Sequence, residues 1–110
     1  MRSLPAPVRV FKALGDEQRL RILEVLASGD AACCAPGEGL CGCDLQERLG
    51  LAQATISHHM SLLVQAGLVS SEKRGKWVHY ALKPAGFQAA RDFADAFAAH
   101  AANAAPGRVA

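Results

Sequence analysis

At 110 residues, 51% of them hydrophobic and 20% charged, the chain is sized for one domain, 1–110, with no room for a second. No apolar run nears the roughly 18 residues that a membrane-spanning helix requires, and the first residues hold no apolar core ahead of a small-residue cleavage site. The expectation is a cytoplasmic protein with no membrane partner. The net charge of +2 is too small to name a nucleic-acid partner, but its parts are uneven: +2 over 1–29, −3 over 30–50, +3 over 51–83 and zero over 84–110.

The stretch 6–14 is apolar at helical intervals and ends at Gly15, which predicts a first helix. Asp16 follows as an N-cap for a second helix over 17–28, with Leu20, Leu23, Leu26 and Ala27 turned inward and Arg19, Arg21 and Glu24 left to solvent. The next segment, 29–43, is rich in glycine and reads as a loop. It holds all four cysteines of the chain, Cys33, Cys34, Cys41 and Cys43, within eleven residues. In a reducing compartment these are expected as thiols rather than as a disulfide framework.

Asp44 is expected to cap a short helix through Leu49, with Leu45 and Leu49 inward and Gly50 as its stop. A second helix over 52–66 carries an apolar stripe of Ile56, Met60, Leu63 and Val64 and ends at Gly67. Two short helices across a tight turn, 44–66, outline a helix-turn-helix. Beyond it, 68–83 reads as a hairpin with strands at 68–71 and 77–82 and a charged tip at Lys73, Arg74, Gly75 and Lys76. A last helix over 85–101 places Phe87, Ala90, Ala94, Phe97, Ala98 and Ala101 on one face, broadened by Phe93, and its alanines permit close approach by another helix. The fold class is therefore mainly α with a β-hairpin, a winged helix-turn-helix.

In such a fold the second helix enters a major groove and the hairpin reaches the backbone or the minor groove. Ala54 lets the helix backbone approach DNA, and Gln53, Thr55, Ser57, His58, His59 and Ser61 offer polar groups suited to base edges or phosphates. Arg74 and Lys76 would add affinity and salt dependence. An ordinary solvated helix face would give a similar pattern, but the basic hairpin directly after it favours operator double-stranded DNA. His58 and His59 point about 100° apart and make no i, i+4 metal pair.

The run Phe11-Lys12-Ala13-Leu14-Gly15-Asp16 with Arg19-Leu20-Arg21-Ile22-Leu23, then Cys41-Gly42-Cys43-Asp44-Leu45, Gln53-Ala54-Thr55-Ile56-Ser57-His58-His59-Met60 and Ala66-Gly67-Leu68-Val69, resembles the ArsR/SmtB family. The likeness spans roughly residues 8–100 and implies a dimeric winged-helix repressor released from DNA by a metal or metalloid. It implies a homodimer joined by the first and last helices, with 85–101 as the dimerisation helix. It also implies an inducer site at Cys41 and Cys43, completed in arsenic repressors by a cysteine three residues after the second. Gln46 stands there, so Cys33 or Cys34 is expected to replace it, making 29–43 a sensor loop.

Thiolates are soft ligands, and three of them suit As(III) or Sb(III); Cd(II), Pb(II) and Zn(II) are alternatives. The spacing suits a zinc ribbon poorly. Asp92, Asp95 and the single His100 lack the Asp-x-His pair of the family's other zinc site. A thiol-redox sensor of the same fold is the second reading, because close cysteines oxidise. A small thiol reductase is the least favoured, since there is no Cys-x-x-Cys in a βαβ setting. Neither catalysis nor an organic cofactor is expected.

Overall fold

The computed structural model of the chain describes residues 6–28 and 40–104, so Cys33, Cys34 and most of the expected sensor loop lie outside the described residues. The elements are α1 (Ala6–Leu14), α2 (Glu17–Ser28), β1 (Leu40–Cys41), α3 (Gly42–Leu49), α4 (Gln53–Gln65), β2 (Val69–Arg74), β3 (Trp77–Leu82) and α5 (Pro84–Ala102). Among the described residues, five helices pack with an antiparallel sheet of order β1-β3-β2. Among the described residues no helix is long and apolar enough to cross a membrane.

The corner between α1 and α2 forms where the sequence stops one helix and caps the next. Asp16 Oδ2 accepts the backbone N–H of Arg19 at 3.1 Å, which satisfies one of the first-turn donors that have no partner within the helix. The inward face of α2 is rotated from the expected one. Ile22 and Leu23 are buried and Leu26 packs against the core, while Leu20 is 44% exposed and Ala27 faces solvent. The true stripe is 19, 22, 23 and 26, at the i, i+3, i+4, i+7 spacing of an amphipathic helix. Its first member is Arg19, a charged residue that hydrophobic periodicity assigns to solvent.

Two further boundaries shift. The expected loop ends early, because Leu40 and Cys41 pair with Tyr80 and His79 as the third strand of the sheet. Gly42 then opens α3 with Cys41 as its N-cap residue, so Asp44 is not the cap but a first-turn residue, 1% exposed. At the other end of this helix Gly50 takes a left-handed conformation, φ 67°, and its N–H closes on Gln46 O, the expected stop.

The core is one cluster: Val10 and Ala13 of α1, Ile22 and Leu23, Leu40, Leu45, Ile56, Met60 and Leu63 of α4, then Ala66, Leu68 and Val69. Val64, expected inward, lies at the rim and is 36% exposed. The hairpin strands run farther than expected, to Arg74 paired with Trp77, which leaves Gly75 and Lys76 as a two-residue tip. Gly67, φ 73°, ends α4, and its carbonyl accepts the N–H of Gly86 at 2.8 Å. Gly86 is buried there, and a Cβ on it would lie 2.6 Å from Ala66 O. This contact seats α5, which sends Phe87 and Ala90 to the core and leaves Phe93 and Phe97 exposed. Phe93 stacks on Phe11 of α1 edge to face, centroids 5.4 Å apart, and on Phe97 at 4.8 Å.

Candidate nucleic-acid interface and cysteine site

Helix α4 buries Ile56, Met60 and Leu63 and turns Gln53, Ala54, Thr55, Ser57, His58 and Ser61 outward, all exposed. The face is small and polar, with Gln65 Nε2 donating to Ser61 Oγ at 3.1 Å. No acidic side chain lies in the first turn of α4, so its amide dipoles meet solvent without a competing carboxylate. His59 stands apart from the other expected contacts. Its side chain is 12% exposed and faces the α1–α2 corner, where Arg19 Nη1 lies 3.3 Å from Nδ1.

Burial holds the His59 imidazole below its ordinary pKa; Asp16 opposes this, while Arg19 and His58 add to it. The ring is therefore neutral at pH 7, and the 4.0 Å approach of Asp16 Oδ2 to Nδ1 is not an ion pair there. The Asp16 carboxyl is itself held below its usual range, chiefly by the Arg19 backbone N–H.

On the wing, Arg74 and Lys76 are exposed at the tip, with Lys73 beside them. Arg74 Nε donates to Glu72 Oε1 at 2.9 Å, which lowers the Glu72 pKa. Sequence reasoning passed over Trp77, which is 49% exposed at the base of the tip with Lys76 Nζ 5.7 Å from its ring centroid. A tryptophan directly after a Gly-Lys turn was the available signal, since an exposed indole offers a face to a neighbouring cation.

Cys41 is buried, and Cys43 lies half-buried in the first turn of α3. The two are joined as a disulfide, Cα atoms 5.4 Å apart, which corrects the expectation of thiols throughout. Beside them is a cavity of about 120 Å³ walled by Cys43 and Gln46 of α3, Gln53 and Ser57 of α4, and Lys76, Trp77 and Tyr80 of the wing. Chemistry at the cysteines thus adjoins both surfaces expected to read DNA. Gln46, at the position of the third cysteine implied by the resemblance, lines the same cavity. Among the described residues no group of three or more His, Cys, Asp and Glu side chains could hold a metal ion. Asp92, Asp95 and His100 are exposed along α5.

The sequence pattern of the bacterial regulatory proteins of the arsR family matches residues 16–71. The arsenical resistance operon repressor of Escherichia coli K12 is 45% identical over 82 residues, 74% of this chain and 63% of that repressor, so the chain spans less than two thirds of its length. An ArsR-like transcriptional regulator from Rhodococcus sp. RHA1 superposes with a TM-score of 0.71 at 27% identity, over 88% of this chain and 81% of that one. The homodimeric winged helix-turn-helix DNA-binding domain from Mycobacterium bovis gives 0.60 at 28% identity, over 87% and 79%.

Proposed function

Because this chain belongs to the ArsR family of bacterial regulatory proteins, with the winged helix-turn-helix fold, we propose that it is a DNA-binding transcriptional repressor whose grip is released by chemistry at Cys41 and Cys43. The observation that carries this is the place of Cys41, at once the end of β1, the N-cap residue of α3 and the bonded partner of Cys43. In a homodimer, two copies of α4 reach successive major grooves, with Gln53, Ala54, Thr55, Ser57, His58 and Ser61 toward base edges and phosphates. Arg74 and Lys76 hold the backbone on either side. The exposed aromatics Phe11, Phe93 and Phe97 on α1 and α5 support a second copy covering that face, as does the homodimeric relative from Mycobacterium bovis.

The inducer read from the donor set is As(III) or Sb(III), with Cd(II), Pb(II) or Zn(II) as alternatives. Two sulfurs at one corner fit part of a three-sulfur site, and the third would come from Cys33 or Cys34. The E. coli relative, by name an arsenical resistance operon repressor, supports this choice. Drawing Cys41 and Cys43 toward that loop shifts the start of α3, and through the α3–α4 turn misplaces α4. The Cys41–Cys43 disulfide favours a second reading, in which hydrogen peroxide takes two electrons from the two thiols, the sulfurs bond and two waters leave with the thiol protons. Both readings act on the start of α3.

Fluorescence anisotropy separates them, with a labelled duplex that the reduced full chain has enriched from a random-sequence pool. As(III) or Sb(III) is expected to release the duplex, and Cys41→Ser or Cys43→Ser to abolish that release. Release by peroxide alone selects oxidation instead. If nothing is enriched, or neither metal, metalloid nor peroxide changes the affinity, the proposed function is wrong.

A further inference from the structure

We propose that Arg19 is the positioning residue of the DNA-reading helix, acting through a neutral His59, and that a proton on His59 undoes the contact and loosens α4 in acid. The inference rests on the DNA-binding reading of α4 given above. Arg19 serves two helix ends at once, one through its guanidinium and one through its backbone. Its Nε donates to Ala13 O at 2.7 Å and its Nη2 to Lys12 O at 3.1 Å, two of the last-turn carbonyls of α1 that have no partner within the helix. Meanwhile its own backbone N–H is held by the Asp16 cap at the start of α2. The remaining arm, Nη1, reaches His59 Nδ1 at 3.3 Å. One side chain therefore fixes α4 against both α1 and α2.

The direction of that last contact decides the protonation state it requires. A guanidinium only donates, so Nδ1 must accept, and the ring proton sits on Nε2. The groups facing His59 are Arg19 and Asp16 from the α1–α2 corner and His58 from its own helix, ring centroids 5.9 Å apart. A second proton puts N–H against N–H and cation against cation at Arg19. The one neighbour that gains is Asp16, whose Oδ2 is 4.0 Å away. Protonation therefore exchanges the partner of His59, from the guanidinium that braces α1 to the carboxylate that caps α2. Because His58 and Ser57 precede His59 on the same turn, any rotation of α4 that follows this exchange re-aims the outward face.

The test compares the wild-type chain with H59Q, which offers Arg19 an acceptor but takes no proton, and with R19K, whose ammonium lacks the three-armed reach. Anisotropy is read on the enriched duplex under reducing conditions at pH 7.5 and pH 5.5. His58 is present in all three and so does not distinguish them. Relative to H59Q, wild-type affinity is expected to fall about tenfold between the two pH values, the lower end for one hydrogen bond to a charged group. R19K is expected to bind roughly tenfold more weakly at pH 7.5, with the extra pH dependence gone. Wild-type pH dependence retained in H59Q, or in a folded R19K, overturns the proposal. A DNA-free readout keeps its failure distinct from failure of the DNA-binding reading. Long-range ¹H–¹⁵N NMR at pH 7.5 should show His59 protonated at Nε2 alone, and a proton on Nδ1 overturns the proposal whatever the duplex does.

Discussion

The helix-turn-helix is held at two corners by opposite kinds of chemistry. At the front of α3, Cys41 and Cys43 meet as sulfur to sulfur, next to a cavity that opens toward α4 and the wing. Behind α4, Arg19 gathers two carbonyls and one imidazole without any covalent bond. The first corner changes only when a bond is made or broken, and its two outcomes are discrete. Behind α4 the response is graded, because it follows the proton population of one ring. One touches α3 and the other α4, so under the proposed readings each helix of the pair has its own point of control.

The widest expected effect strikes both corners together. Leu63 is fully buried in the core that α4 shares with α1–α3, and Leu63→Ala should cost about 2–5 kcal/mol, read as a lower midpoint in urea at unchanged slope. A variant of near wild-type stability would show that the corners do not share one core. Next, Cys43→Ser should lose the whole inducer response while its urea midpoint under reducing conditions stays close to that of the reduced wild type. A retained response would move the switch elsewhere. Arg74→Ala and Lys76→Ala should leave both corners intact, weaken duplex binding and each lower the slope of log affinity against log salt by about one. An unchanged slope would take the wing off the backbone.

The smallest effect loosens the Arg19 corner alone. The Asp16 carboxyl has its pKa depressed from the ordinary 3.8, so its contribution is fully present above that value and is lost as pH falls through the lower folded value. Asp16→Ala should therefore melt slightly lower at pH 7, with the difference from wild type shrinking below pH 4 or so as Asp16 takes its proton. A difference that persists unchanged at pH 2 would make the lost cap irrelevant.

Much of the frame was legible because its punctuation is local. Asp16 caps α2, and Gly50 and Gly67 stop α3 and α4 in the left-handed conformation that glycine adopts without cost. The cluster of cysteines beside the helix-turn-helix was equally plain. What escaped depends on partners distant in sequence. Arg19 turns inward because carbonyls of α1 and a ring forty residues away receive its protons, and no periodicity of hydrophobic residues contains them. His59 follows it inward for the same reason. Asp44 carries the residue type of a cap, yet Cys41 holds that position because β1 pairing continues to the first residue before the helix. Oxidation of close cysteines stood only as the second reading, and the Cys41–Cys43 pairing itself was not legible, since compartment arguments speak of populations of thiols and not of two sulfurs set side by side by a strand end and a helix turn.

The strand β1 is only two residues long, and it hydrogen-bonds to β3, the strand that leaves the wing tip. A cross-tie this brief holds by so few bonds that it acts as a latch rather than as a girder. With Leu40 and Cys41 seated opposite Tyr80 and His79, the start of α3 is tied directly to the wing. Should the strand be lifted by strain on its last residue, the wing would keep its packing against α2 and α4 but lose this strand pairing to the start of α3. A displacement of Cys41 would thereby bear on the wing as well as on the start of α3, which lets one small movement act in two places.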